Sequence, residues 1–145
     1  MPTDTPSDTE TLHATCVALG GRAALITGAS GSGKSALALG LLARGAALIS
    51  DDRTILSRQG DRLVASCPAP IRGLIEARGL GLLNAAPHPP APVSFVVDLD
   101  RTEIERHPPH RDVTILSVSL PLIYKVENNH FIDAVLLYLR QGRSL

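Results

Sequence analysis

The stretch Ala23–Ser35, AALITGASGSGKS, decides the fold of this chain of 145 residues. Its first five residues predict a short buried strand, and its last eight, Gly28–Ser35, fit the pattern Gly-x-x-x-x-Gly-Lys-Ser/Thr residue for residue. The spacing of apolar residues predicts a helix from Ser35 to Arg44, with Gly45 at its carboxyl end. A strand, a glycine-rich turn and a helix in this order direct backbone amides toward a bound phosphate.

Each residue type in this loop has a physical use. Gly28, Gly31 and Gly33 let the backbone approach a phosphate and adopt positive φ angles. Lys34 supplies a point charge to the phosphate oxygens, and Ser35 offers a hydroxyl to Mg²⁺. The predicted nucleotide-binding residues are Gly28, Ala29, Ser30, Gly31, Ser32, Gly33, Lys34 and Ser35. An ordinary glycine-rich turn between a strand and a helix is the alternative interpretation.

The composition limits the classes of function. Lys plus Arg number 14 and Asp plus Glu number 14, so the formal charge is zero and a nucleic-acid partner is not expected. Cys16 and Cys67 lack the spacing of a zinc site or a disulfide scaffold, and they fit a reducing compartment. Neither a secretory signal nor an apolar run of membrane-spanning length is visible. We therefore expect a cytoplasmic protein that does not bind a membrane.

The rest of the chain predicts one domain at 11–145 behind a disordered tail at 1–10, where three acids and two prolines occur. Further strands are predicted at Thr11–Leu19, Ala46–Ser50, Thr54–Ser57, Arg62–Ala65, Val93–Leu99 and Val113–Leu120. A proline-rich loop is predicted at Ala86–Pro92 and a helical turn at Thr102–Arg106. A closing helix, capped by Asn128 or Asn129, carries an apolar stripe formed by Ile132, Val135, Leu136 and Leu139.

Two acidic residues, Asp51 and Asp52, directly follow the strand predicted after the helix. Phosphoryl transfer needs a metal-binding acid and a group that orients or deprotonates the acceptor, both beside the phosphate loop. Adjacent strand-end carboxylates point in opposite directions, so we expect separate roles. Asp51 is the candidate base for an incoming hydroxyl, and Asp52 is the candidate partner of the metal or its waters. A turn-forming or helix-capping Asp pair is the alternative.

The glycine-rich stretch Gly73–Gly81 contains a second pair of charges, Glu76 and Arg78, among apolar residues. From physical chemistry alone this pair is ambiguous, because a Glu/Arg pair near a turn is commonly a structural ion pair.

Three segments together resemble the C-terminal catalytic domain of the bacterial HPr kinase/phosphorylases. They are Gly28–Ser35, the run Leu48–Arg53 with its acidic pair, and the signature Glu76–Leu82, EARGLGL. The resemblance covers about residues 11–140 and implies an α/β fold with a P-loop and a mixed, twisted sheet, similar to the phosphoenolpyruvate carboxykinase core. It also implies that residues 11–145 form a single P-loop kinase catalytic domain, like the short proteobacterial members.

The resemblance also implies roles for individual residues. Asp51 would be the proton acceptor and donor, and Lys34 would bind phosphate. Ser35 and Glu76 would hold Mg²⁺, with Glu76, Arg78 and Gly79 forming the signature loop. His13 occupies the place of a functional histidine on the strand before the phosphate loop. Arg106 resembles an arginine that meets the transferred phosphate or its acceptor; a solvated surface arginine is the alternative.

The function implied by the resemblance is ATP- and Mg²⁺-dependent phosphorylation of a serine on an HPr-like phosphocarrier, with dephosphorylation as a further activity. A hexameric homo-oligomer is expected on the same ground. The chain departs from the family at Tyr124–His130, where longer members carry a basic, glycine-containing loop, and at Ala77, where a larger aliphatic residue is usual. A kinase for a small metabolite and a nucleotide-dependent regulatory module without turnover remain alternatives.

Overall fold

The computed structural model describes residues 8–143, which form eleven β-strands and two α-helices. The strands are β1 Thr9–Leu12, β2 Thr15–Leu19, β3 Arg22–Thr27, β4 Ala47–Ser50, β5 Thr54–Gln59, β6 Arg62–Ser66, β7 Leu74–Ala77, β8 Gly81–Asn84, β9 Ala91–Thr102, β10 Asp112–Ile115 and β11 Val118–Lys125. The helices are α1 Lys34–Ala43 and α2 Phe131–Gln141. Neither helix has the length and apolar character needed to cross a membrane.

The central strand of the main sheet is β9, which has twelve residues and three neighbours. It pairs in parallel with β3 and β11, and its first two residues pair antiparallel with β6. The remaining strands of the main sheet follow in the order β1-β5-β6 on one side and β3-β2-β4 on the other. Because β3 and β9 are parallel, their carboxyl ends meet at one edge of the sheet, and the phosphate loop leaves from that edge.

Both faces of the sheet are buried, and alternate residues of β2 and β3 serve opposite faces. On one face Val17 and Ile26 pack in the cluster that α1 and α2 cover. On the other face Cys16 and Leu25 pack against residues of β5, β6, β10 and β11, so the sheet closes over itself. Burial raises the pKa of the Cys16 thiol, which therefore stays an uncharged core residue.

A separate two-stranded hairpin, β7–β8, stands beside α1. Ile75 of β7 is buried in the helix-side cluster, while Glu76 on the opposite side of the strand is exposed. The base of the hairpin is closed by the Ala85 amide, which donates to the Gly73 carbonyl at 2.9 Å. The hairpin thus holds the signature segment next to the helix that follows the phosphate loop.

The structure confirms the predicted elements up to residue 66 with one exception, because the single strand predicted over Thr11–Leu19 is two strands, β1 and β2, separated by a bend at His13. The strands on either side of Gly20–Gly21, the helix after the phosphate loop, the returning strand and the hairpin around Gly60 all occur, with ends shifted by a few residues. These elements are local, and each is bounded by a glycine turn that the sequence displays.

Two boundaries were wrong. Strand β1 begins at Thr9, so Thr9 and Glu10 are ordered where a disordered tail was expected, because both pair with β5. Residues 1–7 of that tail lie outside the described residues. Strand β9 begins at Ala91, inside the predicted proline-rich loop, and Pro92 pairs with Val64. A proline is tolerated in the first residues of a strand, where few ladder hydrogen bonds are required of it.

Two predicted elements after residue 100 were also wrong. No helical turn occurs at Thr102–Arg106, because β9 continues to Thr102 and an irregular segment follows. The single strand predicted over Val113–Leu120 is the hairpin β10–β11, with Leu116 and Ser117 as its two-residue turn. Both turn residues have positive φ angles, 49° and 66°, without the Gly or Asn that usually marks such a turn.

The closing helix occurs as predicted, but neither asparagine caps it. Its N-cap residue is His130, whose amide donates to Asn128 Oδ1 at 3.1 Å. Val135, Leu136 and Leu139 are buried as expected, Phe131 joins them, and Ile132 is half-buried.

The left-handed turn of the β10–β11 hairpin gives a test of the fold. Ser117 is exposed and has a φ of 66°, so Ser117→Gly should raise the free energy of unfolding by about 0.5–1 kcal/mol, since glycine adopts this conformation without a steric penalty. Ser119 is the second residue of β11 and has extended backbone, so Ser119→Gly should instead lower the free energy of unfolding. Urea unfolding of both variants measures the difference. A destabilised Ser117→Gly would contradict the turn geometry.

Candidate functional site

The phosphate loop connects β3 to α1 and takes a conformation that glycine permits. Gly31 and Gly33 have φ angles of 84° and 105°, and Gly33 is the N-cap of α1. A side chain at Gly28 would place its Cβ 2.4 Å from Ser32 Oγ and 3.2 Å from Leu99 Cβ, so only glycine fits there. The first helical hydrogen bond is donated by the Leu37 amide to Gly33. The amides before it have no intrahelical acceptor and form the positive end of the helix.

Lys34 is almost fully buried, with 7% of its surface exposed. Its Nζ donates to the Gly28 carbonyl at 2.9 Å and to the Ala29 carbonyl at 3.3 Å. The ammonium group is therefore held inside the curve of the loop. A cleft opens in front of it, lined by Ser30, Gly31, Gly33, Lys34, Ser35, Ala36, Leu39, Asp51, Asp52, Glu76 and Arg78. The structure thus brings together most of the predicted site residues.

Asp51 lines the cleft and accepts hydrogen bonds from residues of three elements. Its Oδ1 accepts from Ser35 Oγ at 2.7 Å and from Thr15 Oγ1 at 3.0 Å. Its Oδ2 accepts from the Glu76 amide at 3.0 Å. A carboxylate can accept about four hydrogen bonds, so among residues 8–143 one accepting site on Oδ2 has no donor.

Asp52 lines the same cleft as Asp51 but is more exposed. Its side chain is exposed at the edge of the cleft, and its backbone has a φ of 66°, an uncommon value for a residue with a side chain. The Asp52 amide donates to Thr15 Oγ1 at 3.1 Å, and the Arg53 amide donates to the Asp51 carbonyl at 2.8 Å.

Glu76 and Arg78 both line the cleft with exposed side chains. Within residues 8–143 no salt bridge joins them, so the structure does not support the simple ion-pair interpretation. Gly79, with a φ of 89°, lies in the turn that follows, where the Leu80 amide donates to the Ala77 carbonyl at 3.0 Å.

Two charged or titratable residues that were predicted to act at the site, His13 and Arg106, do not line this cleft. His13 is exposed at the bend between β1 and β2, rather than on a strand, because β1 pairs with β5 whereas β2 pairs with β3 and β4. Arg106 is exposed in the irregular segment 103–111. Neither lines the cleft, so their contact with a phosphate stays a prediction.

Sequence reasoning missed two acids at the end of β9. The Ala29 amide, in the phosphate loop, donates to Asp100 at 3.0 Å from each carboxylate oxygen. The Asp100 amide in turn donates to Asp98 Oδ1 at 2.9 Å, and Asp98 pairs with Thr27 at the end of β3. The sequence signal for these two acids was their position at the end of an apolar strand. Its meaning depends on β9 lying next to β3, which the sequence does not display.

The residues of the cleft fit a nucleotide phosphate and Mg²⁺. Ser32 Oγ, inside the loop, is buried and is bonded to no described residue. Ser35, Asp51, Asp52 and Glu76 supply oxygen atoms, the donors that Mg²⁺ prefers. Among residues 8–143 no three or more His, Cys, Asp or Glu side chains form a ready-made metal cluster.

A bidentate ion pair closes the segment that carries Arg106. Arg111 Nε and its terminal nitrogen donate to the two Glu103 oxygens at 3.1 and 3.0 Å, and the guanidinium stacks 4.4 Å from the Tyr124 ring centre. The hydrogen bonds from Arg111 lower the pKa of the Glu103 carboxyl below its ordinary value. The pair joins the two ends of the segment 103–111, which contains Arg106.

The strand, glycine-rich loop, buried lysine and facing acids define a P-loop domain built to bind phosphate. The family model described as "HPr Serine kinase C-terminal domain" matches residues 5–88, and this chain belongs to that family. The matched region contains the whole cleft, whereas Arg106 and the acids of β9 lie beyond it.

Named relatives agree with this assignment. The HPr kinase/phosphorylase of Bordetella pertussis is 46% identical over 77 residues, which is 52% of this chain and 25% of that protein. That of Mycoplasmopsis pulmonis is 40% identical over 95 residues, 61% of this chain and 31% of that protein. The matched segments therefore span about a quarter to a third of these relatives.

A solved structure extends the comparison to nearly the whole chain. The Hpr(Ser) kinase/phosphatase from Coxiella burnetii matches with a TM-score of 0.74 and 26% identity, covering 92% of this chain and 95% of that one. The expected α/β fold with a mixed sheet around a P-loop is thereby confirmed.

The Glu103–Arg111 pair gives a prediction of pH dependence. Because folding lowers the pKa of Glu103, the pair stabilises the fold above the ordinary glutamate pKa of about 4.3, and this contribution is lost as pH falls through the lowered value. Glu103→Gln should reduce stability at pH 7 and make its decline below about pH 5 less steep. Glu105→Gln, an exposed change in the same segment, should keep the wild-type profile. Thermal unfolding from pH 3 to 7 measures both; identical profiles for Glu103→Gln and wild type would contradict the pairing.

Proposed function

We propose that this protein is a kinase that transfers the γ-phosphoryl group of ATP to a serine hydroxyl of an HPr-like phosphocarrier. The observation that carries the proposal is the 2.7 Å hydrogen bond from Ser35 Oγ to Asp51 Oδ1, which couples the loop serine to a candidate base. The names and the fold of the relatives support the same activity. The proposal places the reaction in the cytoplasm, where ATP is available.

The loop would bind the nucleotide phosphates. Its unbonded helix-terminal amides and the ammonium of Lys34 supply positive potential on one side of the cleft. Lys34 is held 2.9 Å from the Gly28 carbonyl, so its charge lies within the loop before any phosphate arrives. Such preorganised charge is the main source of catalysis in phosphoryl transfer.

Ser35 and Glu76 would hold Mg²⁺, with Asp52 at the edge of the same cleft as a partner for its bound waters. When bound, Mg²⁺ would offset the negative charge of the phosphates during transfer. Ser35 Oγ can offer a lone pair to the metal while its proton remains donated to Asp51, because a hydroxyl both donates and accepts.

Asp51 would act as the base. The acceptor serine hydroxyl would donate its proton to the unoccupied site on Asp51 Oδ2 as its oxygen bonds to the γ-phosphorus. The bond between that phosphorus and the ADP oxygen breaks in the same process, and ADP leaves. In the reverse direction the phosphoryl group would pass from the phosphoserine back to ADP, and Asp51 would return the proton to the leaving serine oxygen, as microscopic reversibility requires.

The surroundings of the cleft favour a protein acceptor over a small metabolite. Leu80 and Leu82 are 79% and 66% exposed on the hairpin that carries Glu76 and Arg78. Large exposed apolar side chains beside a reaction centre are typical of a surface that contacts another macromolecule. A metabolite kinase would instead need a closed acceptor pocket.

The central test is Asp51→Asn. Loss of the base should reduce transfer to the carrier by about a thousandfold or more, while the affinity for Mg²⁺-ATP changes only a few-fold, since the loop and Lys34 are retained. Phosphoserine on an HPr-type carrier from the same cell, quantified by mass spectrometry after incubation with γ-labelled ATP, and calorimetry of ATP binding give the two readouts. Asp61→Asn, the same chemical change at an exposed hairpin turn, should be active.

Other outcomes would redirect the proposal. An unmodified carrier with ATP consumed in the presence of small hydroxyl compounds would favour a metabolite kinase. Tight ATP binding with no turnover on any acceptor would favour a regulatory module. Full activity of Asp51→Asn would remove Asp51 from the role of base. The hexamer implied by the resemblance is a separate part of the proposal, and light scattering of the purified protein measures it.

A further inference from the structure

A hydroxyl group is buried at the start of β2, where the next residues of the strand are apolar. Thr15 is the first residue of β2, is 0% exposed, and is followed by Cys16 and Val17, which are equally buried. A buried hydroxyl destabilises the fold unless its hydrogen bonds are made. Valine has nearly the same shape without this requirement, so the hydroxyl at this position needs an explanation.

Both hydrogen-bonding functions of that hydroxyl are used on the acidic pair. Thr15 Oγ1 donates to Asp51 Oδ1 at 3.0 Å and accepts the Asp52 amide at 3.1 Å. One atom therefore orients a carboxylate and also holds the next residue in its left-handed conformation, with a φ of 66°. Two further bonds brace the same turn, one from Ser50 Oγ to the Arg53 carbonyl and one from the Arg53 amide to the Asp51 carbonyl.

The other two donors to Asp51 belong to parts of the cleft that also meet the ligands. Ser35 is the proposed Mg²⁺ ligand, and the Glu76 amide belongs to the hairpin β7–β8, outside the main sheet. Thr15 alone of these three donors lies in the main sheet, between β3 and β4. It is therefore the donor whose position is independent of the nucleotide and of the acceptor.

We infer that Thr15 is a positioning residue for phosphoryl transfer, fixing the Asp51 carboxylate and the Asp52 backbone relative to the phosphate loop. The inference rests on the proposed function for its kinetic consequence. Its structural part, the hydroxyl bridge between β2 and the acidic pair, can be measured without any reaction.

The test compares Thr15→Val, which removes only the hydroxyl, with Thr15→Ser, which keeps it. Thr54→Val is the matched control, because Thr54 is also 0% exposed and its hydroxyl donates to the Ala14 carbonyl at 2.8 Å without touching an acid. Thr15→Val should lower kcat for carrier phosphorylation about tenfold, in the range found for partners that orient catalytic ligands, with KM for ATP within about twofold. Thr15→Ser should restore most of kcat, and Thr54→Val should leave it near wild type.

Hydrogen exchange of the Asp52 amide, followed by NMR without nucleotide, gives the second readout. The amide should exchange about tenfold faster in Thr15→Val than in wild type. In Thr15→Ser and Thr54→Val it should remain as protected as in wild type. Wild-type exchange and kcat in Thr15→Val would overturn the inference, as would an equal loss of kcat in Thr54→Val. If wild-type protein phosphorylates no carrier, the proposed function is lost, and the exchange rates alone decide whether Thr15 holds the turn.

Discussion

The parallel pairing of β3 with β9 is the constraint on which the site depends. It places the end of β3, the phosphate loop and the acids of β9 at one edge of the sheet, where the Ala29 amide reaches Asp100. It also brings Leu99 Cβ to 3.2 Å from the place that a Cβ at Gly28 would take, which adds to the closer clash with Ser32 inside the loop. Because β9 is buried on both faces and bonded to three strands, the loop is shaped by the most constrained part of the core.

Asp51 connects separate parts of the site through hydrogen bonds to its side chain, as β9 connects separate strands of the sheet. Its three donors come from β2, from α1 and from β7, which are far apart in sequence. A carboxylate fixed by several donors loses little further freedom when an acceptor arrives. A separate bond, from the Asp52 amide to Thr15 Oγ1, helps to explain why the backbone of Asp52 is tolerated, since an uncommon φ persists where the surrounding structure over-determines it.

Much of this arrangement could be predicted from the sequence, because its signals are local. The loop pattern, the glycine turns and the strand-end position of Asp51 are each written in a few consecutive residues. The misses share a different cause. The strand partners of β9, the bend at His13 and the bridge from Thr15 depend on which segments become neighbours, and the turn at Leu116–Ser117 uses residues that do not mark a left-handed conformation. The sequence patterns predicted the phosphate loop and Asp51, but not Thr15 or the strand pairings that position them.

The residues that form the cleft and the residues that pack the core behind it come from different parts of the chain. Thr15, Ser35, Asp51 and Glu76 all lie within residues 5–88, the region that matches the family model. Residues beyond 88 supply β9, β11 and α2, which bury the sheet on both faces. Substitutions beyond residue 88 should therefore affect the cleft mainly through packing. Asp100 is the exception, because it bonds the loop directly, and Arg106 would become a second one if it reaches the transferred phosphate.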